Sequence, residues 1–456
     1  MNMKRIAVLI ASLVMVSACG GGSPSSSGPS ADETAPAGKV VEVSFWHGFA
    51  AGANTDATNV LVQRFNDAHT GKIHVTATFA GDYDTTFSKI KAAVQANQTP
   101  SLVQIYDVGT RFMIDSKQIT PMQHFIDEDK YTTDLEPVIA NYFSINGKLN
   151  SMPWNNSMPL LYINKDAFTA AGLDPNKPPT TLDEIRADAQ KLTKKDNSGQ
   201  TVQYGFGAAI YGWFLEQFAA RADVLMCNSG NGRDKNATKM LSDSPQLVKV
   251  MDWWKQMLAD GLALNTGRTT ANMQTAFKAG RVAITLESTG ALGGFISGSK
   301  FQVGAGPYPR SEASSAGGPI VGGASLWIMN NNHPAYEQRA SWEFVKFLEQ
   351  PNSMAYWHTQ TGYFPDTRKS QEDPTDVAFR QTRPQFDAAL QQLHAEKTDK
   401  ATQGCVLGVM PQARQANEVA MEKILATGAA SKPALSDAVA SIQPAIDQYN
   451  QAVGAK

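Results

Sequence analysis

One long stretch of the sequence alternates between the pattern of a strand and the pattern of a helix. VVEVSFWHGF (40–49), KIHVTATFA (72–80) and SLVQIYDVG (101–109) are rich in valine, isoleucine and aromatic residues, which favours β-strands. DATNVLVQRFNDAHTG (56–71) and DYDTTFSKIKAAVQANQ (82–98) separate them and have apolar residues at helical spacing. This alternation predicts an α/β domain with a largely parallel sheet. In such a sheet, ligands bind beyond the carboxyl ends of the strands.

A second set of elements predicts another lobe of the same kind. TTLDEIRADAQKLTKK (180–195) is predicted to be a helix that opens with a capping box formed by Thr181 and Glu184. QYGFGAA (203–209) and RVAITLES (281–288) predict strands. We therefore expect two α/β lobes, each a largely parallel sheet flanked by helices, with a ligand cleft and a hinge between them.

The polypeptide is expected to cross between the lobes more than once, in a Pro/Asn-rich stretch and again near GGPIVGGASLWIMN. We expect the N-terminal lobe to comprise residues 39–153 plus about 312–370. The C-terminal lobe is expected to comprise residues 154–311 plus about 371–456.

The N-terminus has the pattern of an export signal. Lys4 and Arg5 precede an apolar run, 6–16, that is too short to span a bilayer. Val-Ser-Ala-Cys, ending at Cys19, has the form of a bacterial lipobox; the alternative is ordinary cleavage with an incidental cysteine. The Gly/Ser/Pro-rich residues 20–38 predict a flexible tether. We expect a lipoprotein outside the cytoplasm, anchored by lipid in a periplasm or on the outer face of a cytoplasmic membrane.

Composition and cysteine usage exclude several classes of protein. The chain of 456 residues has a net charge of −2, so it lacks the basic footprint of a nucleic-acid-binding protein. Beyond the lipobox, Cys227 and Cys405 remain, and sequence leaves open whether they form a disulfide. No cysteine or histidine cluster has metal-ligand spacing, and no G-x-S-x-G elbow is present. We expect neither an enzyme nor a bound metal or cofactor.

Several strings in this sequence resemble a known family. FWHGF, LLYINKDAF, AGLDPNKPPTTLDE, FKAGRVAIT and TGYFP are similar to segments of carbohydrate-type extracytoplasmic solute-binding proteins of ABC importers. YDVGTRFMIDSKQITP, WNNSMPLLYINKDAF, GGASLWIM, YWHTQTGYFP and LGVMPQAR resemble the members that bind sn-glycerol-3-phosphate and glycerophosphodiesters such as glycerophosphocholine. The resemblance implies a type II two-lobe fold, a small-molecule ligand, permease subunits as partners, and a monomer.

The resemblance also implies a set of ligand-binding residues. The family's binding positions fall on Tyr83, Asp107, Ser157, Tyr211, Trp213, Ser288, Gly323, Tyr363 and Arg414. The pair Tyr211 and Trp213 is the least secure transfer, because the family has two tryptophans on this loop and the segment here is one residue shorter. Asp107 stands where the family has glutamate.

The chemistry of these residue types suits a glycerophosphodiester. The rigid fork of Arg414 can donate two parallel hydrogen bonds to phosphate oxygens, and Ser157, Ser288 and the N–H of Gly323 can complete the cradle. Asp107 can accept from glycerol hydroxyls. Aromatic faces can hold a quaternary ammonium group or a sugar. A neutral disaccharide of the maltose or trehalose type stays open as the alternative ligand, and an exported hydrolase as a more distant alternative.

Overall fold

The computed structural model describes residues 35–395 and 397–455, so the predicted signal segment, the lipobox cysteine Cys19 and most of the tether lie outside the described residues. The strands are Val41–His47 (β1), Ile73–Phe79 (β2), Leu102–Tyr106 (β3), Ile119–Thr120 (β4), Ser144–Ile145 (β5), Lys148–Leu149 (β6), Met152–Ser157 (β7), Pro159–Asn164 (β8), Lys194–Lys195 (β9), Thr201–Gly207 (β10), Ala263–Leu264 (β11), Val282–Ser288 (β12), Val303–Pro307 (β13) and Gly322–Met329 (β14).

The α-helices are Ala53–Ala68 (α1), Tyr83–Ala96 (α2), Thr110–Asp115 (α3), Met122–Asp129 (α4), Pro137–Phe143 (α5), Lys165–Ala170 (α6), Leu182–Leu192 (α7), Gly212–Arg221 (α8), Asn228–Gly232 (α9), Pro245–Ala259 (α10), Thr270–Lys278 (α11), Leu292–Gly298 (α12), Ala335–Leu348 (α13), Pro351–Thr361 (α14), Arg368–Gln371 (α15), Pro374–Thr382 (α16), Gln385–Ala395 (α17), Met410–Thr427 (α18) and Ser431–Ala452 (α19). Short 3-10 turns at Asp107–Gly109 and Thr289–Ala291 follow β3 and β12.

The first sheet has the strand order β2-β1-β3-β14-β4, with β7 paired to β14. β1 is parallel to both β2 and β3, whereas β14 is antiparallel to β3 and to β7. In β1 the residues Val41, Val43, Phe45 and His47 are buried and the residues between them are more exposed, so the alternation in the sequence matches its one-sided packing. The central strand β3 is buried along its whole length.

The second sheet has the strand order β11-β10-β12-β8-β13, with β9 paired to β10. β10 is parallel to β11 and β12, and β8 runs antiparallel to both β12 and β13. The predicted α/β fold with two sheet-containing lobes is therefore confirmed. The sheets are mixed rather than largely parallel, because β14 enters the first sheet and β8 the second sheet antiparallel to their neighbours. The two sheets are joined directly at residue Met158, between β7 and β8, while the exact lobe boundaries stay a prediction.

Local sequence signals place the helix ends. Thr181 Oγ1 accepts from the Glu184 N–H at 3.2 Å, and the Glu184 carboxylate accepts from the Thr181 N–H, so the predicted capping box is confirmed. The strand predicted for 101–109 ends earlier, at Tyr106. The chain turns there because Gly109 packs against Ile105; a Cβ on this glycine would lie 2.3 Å from the Ile105 side chain.

A disulfide joins two segments that are distant in sequence. Cys227 and Cys405, 178 positions apart, have an S–S distance of 2.01 Å and a Cα–Cα distance of 5.7 Å. The bridge ties the segment before α18 to the loop before α9. It thereby holds the start of the helix that carries Arg414.

Candidate functional site

The carboxyl ends of the parallel strands lie next to the predicted ligand site. Asp107 follows β3, Tyr83 follows β2 after three residues, and Ser288 is the last residue of β12. Tyr211 lies just beyond β10, at the start of α8. Both sheets therefore contribute residues to one region, as the strand order predicts for α/β sheets.

Arg414 is hydrogen-bonded to two carboxylates, whereas the sequence predicted a guanidinium that binds the phosphate of the ligand. Its Nε and Nη2 donate to the two carboxylate oxygens of Glu216, at 2.8 Å each. Nη2 also donates to Oδ2 of Asp107 at 2.7 Å. Nη1 forms no hydrogen bond with any residue that the structure describes. Asp107 directly follows β3 of the first sheet, and Glu216 lies on α8, which packs in the core of the second lobe. The triad of Arg414, Asp107 and Glu216 therefore connects the two lobes.

The charge of the triad is negative. Burial lowers the pKa of Arg414, but Asp107 and Glu216 outweigh burial and hold the arginine pKa well above its ordinary value. Burial raises the pKa of Glu216, although Arg414 opposes that shift. With Arg414 counted as +1 and the two carboxylates as −1 each, the sum is −1. Such a cluster favours a ligand hydroxyl, which can donate to a carboxylate and accept from Nη1, over a bare anion.

A second group near the β7–β8 crossover consists of neutral hydrogen-bond donors. Ser157 ends β7 and pairs with Gly322, and the next pair of the ladder is Asn156 with Gly323. Gly323 has a φ of +99°, and a Cβ there would lie 2.0 Å from the Asn155 carbonyl oxygen. Only glycine fits this position. The Ser157 hydroxyl forms no hydrogen bond with another described residue, so it is available to a ligand.

Ser288 is held in place on three sides. Its N–H donates to Glu287 Oε1 at 2.8 Å, its carbonyl accepts from the Tyr162 hydroxyl at 2.9 Å, and its Oγ accepts from the Gly290 N–H at 3.2 Å. The serine therefore caps the 3-10 turn that follows it, as an ordinary turn serine would. Its hydroxyl hydrogen has no acceptor among the described residues. The same serine can thus cap the turn and donate into the cleft.

Two tyrosine hydroxyls lie beside the neutral donors. Asn155 Nδ2 donates to the Tyr83 hydroxyl at 2.7 Å, and the Tyr83 and Tyr363 hydroxyls also share a hydrogen bond. Burial raises the pKa of Tyr83 well above its ordinary value, and the neighbouring Tyr363 raises it further. Tyr363 is fixed by stacking on Trp357 at 6.0 Å and by the next residue, Phe364, whose N–H donates to Asn156. Burial raises the pKa of Tyr363 as well, so both phenols favour the protonated form, and one of the two protons lies between their hydroxyl oxygens.

Tyr211 and Trp213 connect the two groups. The guanidinium carbon of Arg414 lies 5.9 Å from the centre of the Tyr211 ring, and the Tyr211 and Trp213 rings are 6.1 Å apart. A Cβ on Gly322 would lie 2.6 Å from the Trp213 ring. Contacts thus join Asp107, Arg414, Tyr211 and Trp213 on the side of the triad. On the other side, Tyr83 and Tyr363 bond each other and Asn155 links Tyr83 to the strand β7, which ends at Ser157 and pairs with Gly323, whereas the contacts of Ser288 are with Glu287, Tyr162 and Gly290.

Sequence reasoning missed three residues that shape this region. Glu216 pairs with Arg414, Asn155 orients Tyr83, and Glu418 accepts from the Gly212 N–H at 2.9 Å. Glu216 carried a usable signal, because it is the one acid in the otherwise apolar helix WFLEQFAARA and a buried acid needs a partner. The role of Asn155 depends on long-range packing and carried no such signal.

The sequence matches a known family. Residues 60–388 match the model of the family described as bacterial extracellular solute-binding protein. The chain belongs to that family. It is accordingly a solute-binding protein of an ABC importer, which binds a small ligand and delivers it to permease subunits.

Curated relatives cover most of the chain. The sn-glycerol-3-phosphate-binding periplasmic protein UgpB of Pectobacterium atrosepticum is 31% identical over 415 residues, which are 89% of this chain and 91% of that protein. UgpB of Escherichia coli K12 is 31% identical over 408 residues, 88% of this chain and 91% of that protein.

Solved structures share the fold. UgpB from Mycobacterium tuberculosis in complex with glycerophosphocholine has a TM-score of 0.73 and 22% identity, covering 89% of this chain and 98% of that one. The sugar-binding protein MalE from Xanthomonas citri has a TM-score of 0.72 and 19% identity, covering 89% and 98%. At these identities the likeness establishes the maltose-binding type of fold. Within residues 35–395 and 397–455, no helix is long and apolar enough to cross a membrane.

Proposed function

We propose that this protein captures a glycerophosphodiester, such as glycerophosphocholine, or sn-glycerol-3-phosphate and delivers it to the importer. The observation that carries the proposal is the division of the site into a neutral group of donors and an acidic triad. These two groups suit the two ends of a glycerol phosphate. The names of the curated relatives support the same ligand class.

The phosphate is assigned to the neutral donors. Ser157 and Ser288 offer hydroxyl groups, the hydrogen-bonded pair Tyr83 and Tyr363 offers one more phenol proton, and Gly323 offers a backbone N–H, so an anion can receive several hydrogen bonds there. The sequence had suggested Arg414 as the main phosphate ligand. We move the phosphate because two carboxylates already hold that guanidinium and leave a net negative charge around it.

The glycerol hydroxyls are assigned to the triad. Asp107 accepts from one or two hydroxyls, and the unpaired Nη1 of Arg414 donates to a hydroxyl oxygen. Glu216 positions the arginine through two parallel hydrogen bonds and needs no ligand contact itself. Tyr211 and Trp213 pack on the carbon skeleton between the two groups.

The remaining elements of the transport function are proposed from sequence. We propose that Cys19 carries a lipid anchor and that the tether lets the two lobes reach the permease at the membrane surface. Closure of the lobes about a hinge would enclose the ligand before delivery. The protein acts as a monomer and returns its ligand unchanged.

Isothermal titration of the mature protein tests the ligand class. We expect tight binding of glycerophosphocholine and sn-glycerol-3-phosphate, weak or no binding of maltose, and unchanged ligand after incubation. Ser157→Ala should weaken binding of both phosphates at least tenfold, since one hydrogen bond to a charged group is worth ~1.5–3 kcal/mol. Ser441→Ala, on α19, is the matched control and should bind as the wild type does. Heat with maltose alone would replace the glycerophosphate proposal with the disaccharide alternative.

A further inference from the structure

A chamber of about 600 Å³ opens beside the neutral donors. It is lined by the loop between β1 and α1, including Ala50, by Asn54 in the first turn of α1, and by the start of α12, including Gly293 and Gly294. Phe379 and Phe386, from α16 and α17, form another wall. The β1–α1 loop follows a strand of the first sheet, and α12 comes after β12, a strand of the second sheet. The chamber therefore lies between the lobes, like the ligand site. Its volume is within the range of small-molecule sites, ~300–1,000 Å³.

The chamber borders the proposed phosphate position. Gly290 and Gly362 line it. A Cβ on Gly290 would lie 3.4 Å from the Tyr363 ring and 3.7 Å from Ser288 Oγ. Tyr363 and Ser288 are both assigned to the phosphate. Gly290, which has no side chain, thus lies between the chamber and the proposed phosphate position, and a substituent on the phosphate would have to pass it to enter the chamber.

Two glycines keep one wall of the chamber open. A Cβ on Gly293 or on Gly294 would meet no atom within 4 Å. Neither residue has a positive φ, so a side chain is compatible with the backbone at both positions. In a helix, glycine costs ~1 kcal/mol relative to alanine. Gly293 and Gly294 thus leave this space open and lower the stability of α12.

The polar groups in the chamber suit hydroxyls or an anion. The half-buried side-chain amide of Asn54 forms no hydrogen bond with a described residue, and Arg383 forms no ion pair with one. The Arg383 guanidinium lies 4.7 Å from the centre of the Phe379 ring, at the chamber wall. Among the described residues that line the chamber, none is an aspartate or a glutamate. A cationic group would meet an arginine and no carboxylate there, whereas a polyol would meet amide and guanidinium donors.

Resting on the proposed function, we propose that this chamber binds the head group of a glycerophosphodiester, and that it selects polyhydroxylated head groups. The glycerol lies on the triad, the phosphate on the neutral donors, and the second alcohol, a glycerol or an inositol, extends past Tyr363 into the chamber. Glycerophosphoglycerol and glycerophosphoinositol are then better ligands than glycerophosphocholine, whose trimethylammonium group would face Arg383.

Isothermal titration of the wild type and of Gly294→Phe with four ligands tests the head-group chamber. The ligands are sn-glycerol-3-phosphate, which has no head group, and the glycerol, inositol and choline diesters. We expect the wild-type protein to bind the glycerol and inositol diesters at least fivefold more tightly than the choline diester. Gly294→Phe should weaken the two polyol diesters at least tenfold and change sn-glycerol-3-phosphate less than twofold. Ser441→Phe, the matched control, adds the same ring at an exposed position of α19 and should bind all four ligands as the wild type does.

The outcomes separate the two proposals. If the wild type binds sn-glycerol-3-phosphate but Gly294→Phe weakens all ligands equally, or none of them, the head-group chamber is refuted and the proposed function stands. A preference for the choline diester over both polyol diesters also refutes the selectivity. If the wild type binds none of the four glycerophosphates, the proposed function fails and the chamber assignment fails with it.

Discussion

Two roles of Arg414, compensating the buried carboxylates or binding the phosphate, predict different effects of removing the charge of its partner Glu216. A double-mutant cycle of Arg414 and Glu216 distinguishes them. The two side chains are 7% and 6% exposed, and two hydrogen bonds of 2.8 Å join them. If Arg414 chiefly compensates the buried carboxylates, neutralising Arg414 and Glu216 together should be far less harmful than neutralising Arg414 alone. If Arg414 instead binds the phosphate, adding Glu216→Gln to Arg414→Gln should not restore ligand affinity.

The expected magnitudes follow from burial. Arg414→Gln leaves Glu216 and Asp107 without a cation, and an orphaned buried charge costs ~3–5 kcal/mol of stability. The same negative charge repels an anionic ligand, so sn-glycerol-3-phosphate should bind ~2–5 kcal/mol more weakly. In the double variant Arg414→Gln, Glu216→Gln, the triad keeps only Asp107 as a charge. Loss of one hydrogen bond from Nη1 to a glycerol hydroxyl then costs ~1–1.5 kcal/mol, or roughly tenfold in affinity.

The assay is isothermal titration with sn-glycerol-3-phosphate, together with thermal unfolding of each variant. We expect the double variant to bind within about tenfold of the wild type and at least tenfold more tightly than Arg414→Gln. Arg186→Gln is the control, since this arginine pairs with Asp260, ahead of β11 and so away from the carboxyl ends of the strands. A double variant that binds no better than Arg414→Gln would refute the assignment of the phosphate to the neutral donors.

Three further predictions concern stability. Gly323→Ala should lower Tm and cost at least ~1–3 kcal/mol, because φ is +99° and the methyl group would lie 2.0 Å from the Asn155 oxygen; an unchanged Tm would contradict the close approach. Burial raises the pKa of Asp366 well above its ordinary value, so stability should fall as the pH rises from about 4 through the folded-state pKa, and Asp366→Asn should flatten this fall in Tm. Replacing Cys227 and Cys405 by alanine should cost ~2–5 kcal/mol, and a reductant should then destabilise the wild type but not the variant.

The sequence determined the fold class and much of the site's position. The alternating strand and helix patterns predicted two α/β lobes, because apolar periodicity records which face of each element is buried. A parallel sheet collects the carboxyl ends of its strands at one edge, so Asp107 and Ser288 could be placed near a ligand from their position after β3 and β12. The capping box of α7 was predictable for a similar reason, since its partners are three residues apart.

Only the tertiary structure decided the partners of these residues. Arg414 is 198 positions from Glu216 and 307 from Asp107, and the arrival of β14 beside β3 is equally remote in sequence. No local pattern specifies such contacts, because they depend on how whole helices and sheets pack. The disulfide was open for the same reason: two cysteines pair only if packing brings their Cα atoms within ~7 Å. Local physical chemistry thus placed the residues at the cleft, and long-range packing decided that two carboxylates pair with Arg414 there while the Ser157 hydroxyl forms no hydrogen bond with another described residue.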